Sequence, residues 1–69
     1  MKYYFKKELK KEALKGRSIK YMAEQIGYST PYMYNILNRI NGCEKKLAYC
    51  ITKFLDAEAE IKDYFELKG

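Results

Sequence analysis

Two helix breaks lie close together in this chain, and they leave little freedom in what can stand between them. At the first, Gly16 can take the left-handed conformation that ends a helix, and Ser18 is a good N-cap for the next one. At the second, Gly27 stops a helix, Ser29 or Thr30 can cap, and Pro31 suits a first helical turn, where its missing N–H would have had no intrahelical partner. The segment between them, IKYMAEQIG, sets Ile19, Met22, Ala23 and Ile26 at spacings of three, four and seven, the pattern of a short amphipathic helix. A short helix, a tight turn and a second helix follow.

The rest of the chain reads as helix on either side of this unit. In YFKKELKKEALK, Phe5, Leu9 and Ala13 recur every four positions with Leu14 beside them, one apolar stripe on a lysine-covered helix that ends at Gly16. The helix from about residue 30 to 40 turns Met33, Ile36, Leu37 and Ile40 inward and leaves Pro31, Asn35 and Asn38 on its outer side. Tyr32, Tyr34 and Arg39 flank that outer side. Asn41 and Gly42 break it; a fourth helix at about 44–55 carries Leu47, Cys50, Ile51, Phe54 and Leu55, and a fifth at about 57–68 carries Ala57, Ile61, Tyr64 and Phe65. No strand signal is evident, so the expected fold is all-α, a compact five-helix domain spanning residues 1–69.

Length and charge limit what such a domain does. With 69 residues, folding hides only about 60% of the unfolded surface, so the core is small. No apolar run approaches the roughly 18 residues of a bilayer span, and the amino terminus lacks the apolar segment of a signal peptide, which makes the cytoplasm the default expectation. Cys43 and Cys50, if on one helix, are about 10 Å apart by the helical rise, too far for a disulfide. Two cysteines without histidine cannot complete the usual zinc set, so no metal and no cofactor are expected. Cys50 reads as a small core hydrophobe. The net charge is +5, but residues 1–39 hold nine Lys or Arg against three acids, whereas residues 40–69 hold five against six. A positive field concentrated in the first part attracts polyanions, or else simply solubilises that face.

The joint itself is the most specific feature. Helices cross closely at about 90–120° when a small side chain sits at their contact and the turn tolerates an unusual backbone angle, and Ala23 with Gly27 four positions later meets both demands. KGRSIKYMAEQIGYSTPYMYNILN resembles the helix-turn-helix of Cro/CI-type phage repressors and their bacterial relatives, and INGCEKKLAYCITKFLD looks like the helix that follows it in that family. The resemblance covers roughly residues 5 to 56. It implies a lambda-repressor-like domain with the helix near Thr30 in the DNA major groove.

By the same resemblance, Thr30, Pro31, Tyr34 and Asn35 read bases. Asparagine can pair bidentately with adenine, threonine can bond a base or touch a thymine methyl, and proline offers apolar contact. Arg17, Lys20, Ser29, Tyr32, Asn38, Arg39, Lys45 and Lys46 hold phosphates, through charge and helix amino termini. The chain departs from the family at Ile19, where a phosphate-holding glutamine is frequent, and at Pro31, which lacks a side-chain donor; both reduce base specificity more than they alter the fold. Tyr28 is expected in the core, Tyr34 outside, and Tyr32 in either place. Ile61, Tyr64 and Phe65 either cap the core or form a twofold interface, and pairing lengthens the site a small reader can cover. The expected partner is double-stranded DNA, bound by a repressor-type transcriptional regulator. The alternative is a protein-binding module on the same fold, an antitoxin or a phage-type inhibitor of a host protein, with the tyrosine-rich surface as its interface. Without histidine, a phosphate-cradling glycine loop or a recognisable carboxylate pair, an enzyme is not expected.

Overall fold

A computed structural model describes residues 1–69 and keeps the helical middle while replacing both ends. Strand β1 (Lys2–Phe5) is followed by a 3-10 turn (Lys7–Leu9) and the short helix α1 (Lys10–Leu14). Then come α2 (Ile19–Ile26), α3 (Thr30–Leu37), α4 (Lys45–Leu55), the single turn α5 (Ile61–Tyr64) and strand β2 (Phe65–Lys68). The all-α, lambda-repressor-like expectation is therefore overturned: the chain is mostly helical but closes with an antiparallel sheet made from its two termini, in the register Lys2↔Lys68, Tyr3↔Leu67, Tyr4↔Glu66 and Phe5↔Phe65.

Aromatic packing accounts for the change. Phe5 is fully buried; its ring meets Phe65 edge-on at 5.3 Å and stacks on Tyr64 at 6.2 Å. Aromatic pairs directly opposite one another are the stabilising unit of an antiparallel ladder. A helical end of comparable length gains little, because its last carbonyls have no partners. The fifth helix thus stops at Tyr64, and Phe65 turns extended at φ −127°, ψ 151°. The other edge of β1 is also occupied, since Tyr3 N–H donates to the Cys43 C=O at 2.8 Å and Cys43 N–H to the Tyr3 C=O at 2.9 Å. Gly42 is required there: a Cβ would lie 2.8 Å from both Lys2 Cβ and Tyr4 Cζ.

Of the two readings of Ile61, Tyr64 and Phe65, the burial of these side chains accords with the one in which they cap the core. Phe65 is buried, and Ile61 and Tyr64 pack half-buried against the core. Three further placements differ from expectation. The third helix ends at Leu37 and Arg39 turns the chain at φ 62°, so Ile40 leaves the helical phase and is 63% exposed. Tyr28 is 47% exposed, its ring stacked 5.5 Å from Tyr32. On α4 the buried stripe is Leu47, Ala48, Ile51, Thr52 and Leu55, so Cys50 is exposed while Cys43 is buried. Burial pushes the Cys43 thiol up to about 11, against a smaller opposing pull from Lys2.

Thr52 faces the core with its hydroxyl unpaired. A buried donor without a partner costs about 1–3 kcal/mol, so Thr52→Val, which keeps the shape and removes the hydroxyl, is expected to raise stability by roughly 1 kcal/mol in urea denaturation. A loss of similar size would show that the hydroxyl has a partner in solution. No helix is long and apolar enough to cross a membrane.

Candidate nucleic-acid interface

The α2–α3 unit is fastened by the residues that announced it. Ser18 Oγ accepts from Tyr21 N–H at 3.0 Å and Ser29 Oγ from Tyr32 N–H at 3.3 Å, each satisfying a donor that an uncapped first turn leaves open. Gly27, at φ 97°, returns its N–H to the Ala23 C=O at 2.8 Å, and Ala23 is fully buried where the helices meet. With Met33, Ile36 and Leu37 of α3 buried, the opposite side of that helix is left to solvent.

Thr30 and Pro31 are exposed in the first turn of α3, Tyr34 is 52% exposed one turn later, and Asn35 lies half-buried at the edge of the same surface. The Asn35 carbonyl accepts from Ile40 N–H at 2.9 Å and Asn41 N–H at 3.2 Å, which curls the following chain back over the helix end and fixes where the surface stops. Asn38 caps that end: its Nδ2 donates to the Tyr34 C=O at 2.9 Å and its Oδ1 accepts from Lys10 Nζ at 2.7 Å. Both halves of the Asn38 amide are committed. What it supplies to the surface is the position of Lys10, whose ammonium lies 5.8 Å from the centre of the Tyr34 ring. Lys10 was one lysine among many in the sequence, and nothing local marked it, because its partner is 28 positions away.

Two arginines expected at phosphates are held inside the fold. Arg17 Nε donates to the Leu14 C=O at 2.9 Å, Nη1 to the Phe54 C=O at 3.1 Å, and Nη2 to the Ala13 and Leu55 carbonyls at 3.2 Å each, with the guanidinium 4.8 Å over the Phe54 ring. It closes the carboxyl ends of α1 and α4 together. Arg39 donates from Nη1 to the Phe5 C=O at 3.0 Å, pairs with Glu66 and lies 5.6 Å over the Tyr4 ring, so it fastens the end of α3 to the sheet. A guanidinium engaged on several sides has few donors to offer a phosphate.

The remaining expected cations are differently placed. Lys20 on α2 and Lys45 and Lys46 in the first turn of α4 are exposed, and neither ion pair in the structure, Arg39–Glu66 or Glu60–Lys62, involves them. Lysines in a first turn oppose the positive end of their own helix, at a cost of roughly 0.3–1 kcal/mol each, which a bound anion offsets. Tyr32 is half-buried, its phenol held above the ordinary value chiefly by burial, with smaller contributions from Cys43, Tyr28 and Glu44. With Lys2, Tyr28, Cys43 and Lys46 it lines a cleft of about 220 Å³. No protein-family model matches the chain, and comparison with curated proteins and with solved structures finds no match.

Proposed function

We propose that the chain is a sequence-specific, double-stranded DNA-binding regulator that inserts the amino-terminal half of α3 into the major groove. The observation that carries this is the outward face of α3: Thr30, Pro31 and Tyr34 are exposed with no side-chain hydrogen bond inside the chain, while the opposite side is locked into the core. A helix held rigidly by its partner and free on one face is what groove reading requires. Thr30 and Asn35 supply hydrogen-bonding groups for base edges, Pro31 and the Tyr34 ring supply apolar surface, and Ser29 stands at the helix start beside the backbone. Phosphates fall to Lys10, Lys20, Lys45 and Lys46 rather than to Arg17 and Arg39, whose donors are used elsewhere.

Titration against a random duplex at two salt concentrations tests the class of function. Phosphate binding weakens steeply with salt, and absence of affinity for any duplex at low salt would defeat the proposal. Asn35→Ala is expected to cost roughly 1–3 kcal/mol against the preferred site and to relax one base position, while Lys20→Ala weakens all sequences alike. Equal losses on specific and random DNA for Asn35→Ala would remove it from base reading. The protein-binding alternative has one observation of its own, the exposed Tyr28 ring stacked on Tyr32 beside the cleft, since exposed tyrosine is enriched where partners bind. Failure to bind duplex DNA at low salt would favour it.

A further inference from the structure

Lys45, Tyr49 and Lys53 follow one another at spacings of four on α4 and so form one stripe along the helix. The stripe is one wall of a cleft of about 410 Å³, and the remainder is largely apolar: Tyr3 from β1, Ile61 from α5, and Phe65 and Leu67 from β2. Leu67 is 46% exposed and Tyr49 52%, so this apolar surface is open to solvent. A second hollow, of about 510 Å³, continues it past Tyr49 and Lys53 to Ile26, Cys50 and Phe54. Contiguous apolar surface rimmed by polar groups marks an interaction site, and exposed tyrosine is enriched among the residues that carry binding energy.

Charge decides what fits there. Residues 40–69 hold five Lys or Arg against six acids, yet three of those cations and only one of the acids border the cleft. Lys53 is held by neutral groups: its Nζ donates to the Ala59 C=O at 2.7 Å and the Ala57 C=O at 3.2 Å and lies 5.5 Å from the centre of the Tyr49 ring. These contacts fix its position and leave its charge uncompensated. Lys45 takes part in neither ion pair of the structure. The one acid, Glu60, caps α5 in a reciprocal box with Asp63, and Lys62 lies 3.9 Å from it with both side chains exposed. An exposed pair of that kind contributes little. A cationic rim around apolar surface complements carboxylates interspersed with apolar side chains. A phosphate backbone matches the charge but offers nothing to the apolar part.

We infer that this cleft docks an acidic segment of a partner protein, its apolar side chains on Tyr3, Tyr49, Ile61 and Leu67 and its carboxylates against Lys45, Lys53 and Lys62. The inference does not rest on duplex binding, because Lys45 alone among these residues is also proposed at phosphates. Lys62 and Tyr49 therefore test the cleft by itself.

The probe is a short synthetic peptide of glutamate, leucine and phenylalanine, titrated into the isotope-labelled whole chain and followed by amide chemical shifts. Binding is expected to move the amides of Tyr49, Ile61 and Leu67, and the same peptide with glutamine for glutamate to bind about tenfold more weakly. Tyr49→Ala is expected to weaken the glutamate peptide about tenfold, and Lys62→Glu, which reverses one rim charge, about threefold. Amide spectra unchanged away from the cleft show that each variant keeps the fold. Asn35→Ala, on the α3 surface, is expected to leave peptide binding as it is. No binding of the glutamate peptide, equal binding of the glutamine peptide, or full affinity in a folded Tyr49→Ala would each overturn the inference. Duplex DNA that moves the Tyr49, Ile61 and Leu67 amides without peptide gives the cleft to nucleic acid, and shifts there that grow with protein concentration alone give it to a second copy. Either result overturns the inference as well.

Discussion

Phe5→Ala is expected to lower stability by about 3–5 kcal/mol, the cost of emptying a fully buried aromatic site. A folded domain retains only about 5–15 kcal/mol in total, and one of 69 residues lies toward the lower end, so a large fraction of this variant should be unfolded without denaturant. The loss is concentrated because Phe5 joins three parts of the fold. Its ring touches Tyr64 and Phe65, its backbone pairs β1 with β2, and its carbonyl receives Arg39 from the end of α3. Emptying the site weakens the sheet and the closure of both termini together. Phe5→Leu refills most of the volume and should cost clearly less. Urea denaturation followed by far-ultraviolet dichroism measures both, and a change below about 1 kcal/mol for Phe5→Ala would mean that the terminal sheet contributes little to the native state.

Arg17→Ala is expected to cost about 2–4 kcal/mol. A hydrogen bond to a charged group contributes roughly 1.5–3 kcal/mol, and bonds from one guanidinium are not additive, so the four carbonyls together set this range rather than its multiple. Loss of the guanidinium from the Phe54 ring adds a smaller amount. Arg17→Lys should recover only part, because a single ammonium cannot span carbonyls from two helices. This variant also separates the two roles open to Arg17 in the sequence. If it is structural, stability falls, while under the proposed function the salt dependence of duplex binding by the folded fraction is unchanged. A stable variant whose salt slope drops by about one would return Arg17 to the phosphate contacts.

The helix starts at Ile19 and Thr30 were legible because their signals are local: a serine cap, a left-handed glycine and a proline act on neighbours a few bonds away. The strands were not legible, because each is short and its partner lies at the opposite end of the chain. Phe5, Leu9 and Ala13 fit a helical stripe, and so do Ile61 and Phe65; no local energy separates that stripe from a strand whose ladder forms only when the termini meet. The stripe on α4 was ambiguous for a related reason. Leu47, Ile51 and Leu55 face inward in either phase, and tertiary neighbours decided that Ala48 and Thr52 share their face while Cys50 does not.

For the candidate site, sequence identified the exposed members of α3 and the free lysines, since outward position on a helix follows from its period. It did not distinguish a guanidinium that waits for phosphate from one already surrounded by carbonyls. Arg17 and Arg39 carry the same charge in either case, and only the convergence of α1 with α4, and of α3 with the sheet, brings acceptors within reach. Lys10 is the converse case, a lysine without a local signal that the fold aims at Tyr34 through Asn38. The sequence alone thus determined the α2–turn–α3 unit and the basic character of the first part of the chain, which depend on backbone preferences and on charge. Tertiary structure decided how the termini close and which arginines are spent inside, because those outcomes depend on contacts between residues far apart in the chain.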